Sequence, residues 1–167
     1  MKALLGILLA VALGNDAAAH DHNLATFSID EKGGVWLLKN DFTTSTMLES
    51  FHMADGPASS QEIKEAMVHY RKDHIAIEAN AGQPVTLDQG GIKYGSHSSE
   101  VIFILKGFPW DWTSLSLDIP AFHENEKQSN RVRVEDAAGK YRAFLNAENG
   151  VETRFERVQI GVAQPPD

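Results

Sequence analysis

The chain contains no cysteine. Without cysteine no disulfide bond can form, so the folded state must be held together by its hydrophobic core alone. The absence also removes the thiol as a catalytic nucleophile and excludes lipid attachment at an N-terminal cysteine. A stable protein of this composition must therefore bury a substantial apolar core.

Lysine and arginine are scarce as well. The chain has 15 of them against 23 aspartate and glutamate residues, which gives a formal net charge of −8 at pH 7. The basic residues form no cluster, and binding to nucleic acid or to an anionic membrane surface requires one. We therefore expect no nucleic-acid partner, which leaves a protein or a small ligand of unknown identity.

The sequence has a single long apolar run, from Leu4 to Leu13. Lys2 precedes this run, and Ala17-Ala18-Ala19 supplies the small residues that signal peptidase requires after it. The run is too short to cross a bilayer as a stable helix. It predicts a signal peptide over residues 1–19, cleaved after Ala19. The mature protein is then expected in the periplasm or outside the cell, without a membrane anchor.

The mature part of the chain is long enough for one domain and too short for two. No internal repeat, linker or low-complexity segment divides it. We expect a single domain over residues 20–160 and a flexible tail over 161–167, where Pro165 and Pro166 cannot continue a strand ladder.

Apolar and polar residues alternate through most of the mature chain with the period of two that is typical of strands. Lys32-Gly33-Gly34 predicts a tight turn, and Asn149-Gly150 predicts a hairpin whose returning strand is the last of the chain. The run Val101–Leu105 is apolar at every position, as in a central strand. The other strongest segments are Leu24–Asp30, Val35–Phe42, Leu115–Ile119, Tyr141–Leu145 and Val151–Phe155.

One segment has a helical pattern. Ser59 and Glu62 have the spacing of a capping box, which satisfies free backbone N–H groups at a helix start. An apolar stripe with helical spacing follows, made of Ile63, Ala66, Met67 and Tyr70. The chain therefore predicts a mainly β fold, a two-sheet β-sandwich of immunoglobulin-like type, with one inserted α-helix.

The order of these elements resembles that of a family of small exported bacterial proteins of unknown function. Members begin their mature sequence near a histidine, form a strand hairpin, insert one helix and return through several strands. The chain differs at Thr43-Thr44-Ser45-Thr46, where members often have acidic residues. The resemblance implies the fold and the export but no activity. The matching stretches are His22–Ile29, Val35–Phe42, His69–Leu87 and Asn130–Asn149.

No catalytic motif is recognisable. The segment Gly95–Ser99 contains Ser-His-Ser but lacks the second glycine and the strand-to-helix context of a nucleophile elbow. His69 and His74 are five residues apart and lack the spacing of a zinc protease, so a polar role facing solvent is expected for both. We therefore assign no catalytic residue and expect the protein not to be an enzyme.

The new N-terminus created by cleavage after Ala19 would be His20-Asp21-His22. A free amine, two deprotonated amides and an imidazole at position three can hold Cu(II) or Ni(II) in a plane, and no other cofactor is expected. Alternatively, His20 chelates through its own amine and imidazole, and His97 or His123 completes the site. The simpler interpretation is a polar N-terminal segment that binds stray copper without biological purpose.

The only concentration of aromatic residues is Phe108-Pro109-Trp110-Asp111-Trp112. Alternation would place Trp110 and Trp112 on one side, where exposed indoles could stack on sugar rings or contact a partner protein. The alternative is that both indoles pack at the end of the sandwich. The sequence is thus most consistent with an exported, non-catalytic binding or accessory domain of unknown ligand. Metal binding at His20-Asp21-His22, and carbohydrate or protein binding at Trp110 and Trp112, are its two specific alternatives.

The planar metal site predicts that Cu(II) binds one-to-one to protein that begins at His20 with a free amine. One extra residue before His20 should abolish tight binding, because the free amine would then stand one residue too far from the amide donors. Calorimetric titration of both forms with Cu(II) measures this. Equal affinity of the two forms would show that no such planar site exists.

Overall fold

The computed structural model describes residues 23–50 and 59–157. The predicted signal peptide at 1–19, the metal-site residues His20, Asp21 and His22, and the predicted tail at 161–167 lie outside the described residues.

The described residues form ten strands and two helices. In chain order these are β1 (Leu24–Lys32), β2 (Val35–Thr43), α1 (Thr44–Ser50), α2 (Ser60–Asp73), β3 (Ala76–Ala79), β4 (Gln83–Pro84), β5 (Thr86–Lys93), β6 (Ser98–Lys106), β7 (Ser114–Asp118), β8 (Ser129–Asp136), β9 (Gly139–Leu145) and β10 (Glu152–Glu156). Neither helix is long and apolar enough to cross a membrane.

The first hairpin follows directly from its sequence. Lys32 and Val35 pair across the turn, and Gly33 and Gly34 have φ angles of 62° and 84°. Two consecutive positive φ angles are those of the two-residue turn that matches the twist of paired strands, and glycine adopts them without a steric penalty. The predicted tight turn is confirmed.

The strands form two sheets. The larger one has six strands in the order β5-β6-β2-β1-β8-β9, and the smaller has four in the order β10-β7-β3-β4. All neighbours are antiparallel except β1 and β8, which run parallel. The predicted mainly β, two-sheet sandwich with a small helical part is confirmed.

The core lies between the sheets. Phe27, Leu38 and Phe103 of the six-stranded sheet are fully buried, and Leu115 and Leu117 of the four-stranded sheet face them with at most 1% exposed. Burying one such side chain contributes roughly 1.5–3 kcal/mol. The two sheets therefore supply the stabilisation that a chain without disulfides requires.

The strand β6 lies between β5 and β2, as its apolar sequence predicts. Only one of its faces is fully buried, however. Val101, Phe103 and Leu105 point into the core, whereas Ile102 and Ile104 are half-buried on the outer face. An unbroken apolar run therefore indicates the central position of this strand, but not burial on both faces.

The helix α2 begins where the capping box predicts it. The Ser59 hydroxyl accepts from the Glu62 backbone N–H at 3.2 Å, and the Glu62 carboxylate accepts from the Ser59 N–H at 2.7 Å. A second helix, α1, was not predicted, because its sequence is rich in threonine and serine, which are weak helix formers. Thr44 anchors its start through bonds to Gly95 O and the Ser99 hydroxyl, at 2.7 and 2.9 Å.

The predicted hairpin at Asn149-Gly150 is wrong in its pairing. The strand β10 exists, but it pairs with β7 in the other sheet and not with β9. Asn146 makes a turn here, accepting from the backbone N–H groups of Glu148 and Asn149 at 3.0 and 2.8 Å. The turn redirects the chain from one sheet to the other, and Phe155 then enters the core.

Two carboxylates face each other across β2 and β6, and this pair predicts a pH dependence. Asp41 is paired in register with Glu100, and burial together with the nearby Glu100 raises the pKa of Asp41 above its ordinary value. A raised pKa in the folded state means that stability is lost as the pH rises through that pKa.

Asp41→Asn should therefore gain stability over the parent chain as the pH is raised from about 4 to about 7. The gain should be small, about 0.3 kcal/mol, because solvent screens partly exposed charges. Urea unfolding at several pH values measures it. Glu100→Gln should produce a smaller gain, because it removes the repulsion but leaves the burial of Asp41, which is the larger cause of the raised pKa. A benefit of Asp41→Asn that does not change with pH would contradict this explanation.

Candidate binding cleft at the end of the sandwich

The two tryptophans of the aromatic segment lie in different environments. Trp110 is 56% exposed, whereas Trp112 is fully buried. The prediction that alternation places them on one side is wrong, because residues 107–113 form turns between β6 and β7, not an extended strand. The pair therefore forms no common exposed surface, and only Trp110 can meet a ligand.

Trp112 is held in the core by Asp136. Its indole N–H donates to Asp136 Oδ2 at 3.1 Å, and the same oxygen lies 3.1 Å from Arg157 Nη2. The other oxygen, Oδ1, accepts from the backbone N–H groups of Ala138 and Gly139 at 2.8 and 2.9 Å. Only 4% of the Asp136 side chain is exposed. Trp112 is thus a structural residue, as the packing alternative for this segment proposed.

Trp110 stands at the outer end of a row of aromatic rings. Its ring centroid lies 5.8 Å from that of Trp36, which in turn lies 4.6 Å from that of Phe108. Trp36 and Phe108 are buried. Rings in contact at such distances support one another, so the exposed indole is held from below. Trp110 is therefore a supported and accessible aromatic surface.

Beside Trp110 lies a depression of about 480 Å³, here called the end cleft. It lies where the β1–β2 hairpin, the end of β8 and the residue after β10 meet. The size falls within the range of small-ligand sites, about 300–1,000 Å³. The residues that line it are Asp30, Glu31, Trp36, Trp110, Glu135, Asp136, Ala137 and Arg157.

The charge of the end cleft is acidic, with four carboxylates and one arginine among its lining residues. Asp136 is fully engaged by Trp112, Arg157 and the backbone. Glu31 and Glu135 remain exposed at the rim. An excess of carboxylates repels anions and accepts hydrogen bonds from hydroxyl or ammonium donors.

Sequence reasoning found Trp110 but missed Trp36, Asp136 and Arg157. The alternation of apolar and polar residues in β2 predicts that Trp36 is buried. It does not predict that Trp36 lies below Trp110. The role of Asp136 had a weak signal, since an aspartate before a turn often accepts from the backbone two residues on. Its bond to Trp112 joins residues 24 positions apart and has no local signature.

The histidines are scattered. His69 is exposed on α2, as predicted, while His74 is half-buried with its ring stacked on Tyr70 at 4.1 Å. His97 is exposed, and His123 Nε2 is buried without a hydrogen-bond partner. Within residues 23–50 and 59–157, no group of three or more histidine or acidic side chains could hold a metal ion. The proposed completion of a metal site by His97 or His123 stays a prediction.

Comparison with known proteins gives no identification. No protein-family description matches the chain, and no curated protein matches it. The resemblance to small exported bacterial proteins stays a prediction.

The role of Asp136 predicts a clear loss of stability in Asp136→Asn. The amide cannot accept every bond that the carboxylate accepts, and Arg157 would lose its charge partner, so we expect a loss of about 2 kcal/mol. Chemical unfolding measures it. The neighbouring Glu135→Gln is the matched control, because the Glu135–Lys140 pair is exposed on both sides and should change stability by less than about 0.5 kcal/mol. Equal effects of the two substitutions would refute this role of Asp136.

Proposed function

We propose that the protein is an exported, non-catalytic binding domain whose ligand is a saccharide that stacks on Trp110 in the end cleft. The observation that carries the proposal is the 56% exposure of Trp110 on top of a buried aromatic row, next to carboxylates. Single exposed hydrophobic residues are common on surfaces, but an indole beside a cleft of ligand size is a specific arrangement.

A saccharide would match both the aromatic surface of Trp110 and the carboxylates that line the end cleft. The apolar face of a sugar ring packs on an indole, while its hydroxyl groups need acceptors at the edge of the ring. Glu31 and Glu135 provide exposed carboxylate oxygens at the rim. Because carboxylates outnumber cations, the ligand should be neutral or basic, not acidic.

A binding role, as opposed to catalysis, is supported by how the acidic groups are paired. Asp30 Oδ2 lies 2.7 Å from Lys39 Nζ, and Glu135 Oε1 lies 2.8 Å from Lys140 Nζ. Both carboxylates thus already serve in ion pairs with lysine side chains, and we assign neither of them a catalytic role. Export is supported by the signal-peptide pattern of residues 1–19.

The proposal predicts that a neutral oligosaccharide changes the tryptophan fluorescence of the protein in a saturable way. Trp110→Ala should abolish this response while leaving the thermal unfolding temperature nearly unchanged, since the side chain is largely in water. Titration with a panel of neutral oligosaccharides, confirmed by calorimetry, is the measurement.

Phe144→Ala is the matched control, because Phe144 is another exposed aromatic residue, 45% accessible, outside the end cleft. It should bind saccharide as the parent protein does. If the Trp110→Ala variant still binds saccharide, the binding site is not at Trp110. Binding of a lysine-rich peptide with no response to any saccharide would contradict the ligand class.

A further inference from the structure

Arg71 is the only charged residue classed as buried in the described part of the chain. Its Nε, Nη1 and Nη2 atoms are inaccessible to solvent, and none has a hydrogen-bond partner among residues 23–50 and 59–157. Burying a charged group without hydrogen bonds is strongly unfavourable. A guanidinium in this situation calls for an acceptor.

Aromatic rings surround the guanidinium, and we call Arg71 and these rings the Arg71 cage. The guanidinium carbon lies 3.7 Å from the ring centroid of Phe122, 4.5 Å from that of Phe42, 5.3 Å from that of Tyr70 and 5.9 Å from that of Phe27. Cation–π attraction offsets part of the cost of burial. It does not satisfy the N–H groups, which need acceptors in the guanidinium plane.

The two nearest rings leave part of the guanidinium free of aromatic cover. The centroids of Phe42 and Phe122 are only 5.4 Å apart. This is far less than the sum of their distances from the guanidinium carbon, so the rings stand side by side and do not enclose the group from opposite faces. These two rings therefore do not sandwich the guanidinium, but its N–H groups are inaccessible to solvent, so an acceptor reaches them only if a ring of the cage moves.

The nearest acidic group does not fill this role. Glu124 is exposed, and both of its carboxylate oxygens accept from the Tyr70 hydroxyl, at 2.9 and 2.8 Å. The Tyr70 oxygen in turn accepts from the backbone N–H of Phe122 at 2.8 Å. This chain of bonds holds the carboxylate at the Tyr70 hydroxyl, and it forms no hydrogen bond with Arg71. The positive charge of Arg71 persists at neutral pH, although burial lowers its pKa to about 9.

Phe122 is the one ring of the cage that lies in a loop, and its backbone is hydrogen-bonded to Tyr70 and Asn125. Phe27 and Phe42 belong to β1 and β2 in the middle of the six-stranded sheet, and Tyr70 belongs to α2. Phe122 lies in the loop between β7 and β8, with a φ angle of 67°. A bulky residue in the left-handed region is strained, and movement of the loop would release that strain.

We propose that the Arg71 cage binds a small monocarboxylate with an apolar body, admitted by movement of Phe122. The carboxylate would accept two hydrogen bonds from the guanidinium in the fork geometry that arginine favours. The surrounding rings would pack against the apolar body. A dianion such as phosphate would carry one charge more than Arg71 balances, next to the carboxylate of Glu124. This site is separate from the end cleft and does not depend on saccharide binding there.

Benzoate is the probe, with benzamide as its uncharged isostere and inorganic phosphate as the dianion. Calorimetry and thermal unfolding of the exported protein should show saturable binding of benzoate and none of benzamide or phosphate. Arg71→Met should weaken benzoate binding at least about tenfold, the effect of losing a charge-assisted hydrogen bond.

Arg71→Met should fold, because replacing a buried ion by an apolar side chain of similar size is often neutral or stabilising. Circular dichroism checks this, and Arg71→Lys, which keeps the charge but not the fork, should bind benzoate more weakly than the parent. No binding of benzoate to the parent protein, or equal binding to Arg71→Met, would overturn the proposal. Stronger binding of phosphate than of benzoate would overturn the ligand class.

Discussion

The buried carboxylate of Asp136 joins the two sheets at one end of the sandwich. It lies at the end of β8 in the six-stranded sheet and accepts from Trp112, which precedes β7, while pairing with Arg157, which follows β10. Both of those strands belong to the four-stranded sheet. A chain without disulfides must fix the relative position of its two sheets by noncovalent contacts. A network of charge-assisted hydrogen bonds that is shielded from solvent is one way to do so.

This junction also explains why the two tryptophans of one short segment have opposite roles. Once Trp112 is fixed against Asp136, the turn before it leaves Trp110 outside, resting on Trp36. Arg157 Nη1 donates to the backbone oxygen of Trp110 at 3.3 Å, which fixes the turn from the other side. The same residues that close the core therefore shape the end cleft, so the accessible indole is a consequence of the packing beneath it.

Much of the fold could be predicted from the sequence, because alternation, glycine turns and capping are local signals. The β1–β2 hairpin and the start of α2 are examples, since each depends on residues within a few positions of one another. The pairing of β10 with β7 could not be predicted. Asn149-Gly150 has the sequence of a hairpin turn, but the strand that follows pairs with β7 and buries Phe155, and these contacts are long-range in sequence.

The candidate sites were less accessible to sequence reasoning for the same reason. Trp110 was identified because aromatic residues cluster around it, but alternation could not separate it from Trp112 where the chain turns. Arg71 gave no signal, because an arginine in the last turn of a helix is normally a solvated residue that interacts with the helix dipole. The rings that cover its guanidinium most closely belong to Phe42 and Phe122, which are distant from Arg71 in the sequence.

We propose that a ligand binds at Trp110 while the core beneath it stays rigid. The most direct measurement is the nuclear magnetic resonance spectrum of the three indole N–H groups, those of Trp36, Trp110 and Trp112, during titration with a neutral oligosaccharide. We expect a large, saturable shift of the Trp110 signal, a smaller shift of the signal of Trp36 beneath it, and an unchanged Trp112 signal. Three unchanged signals, or a shift of Trp112 without Trp110, would contradict it.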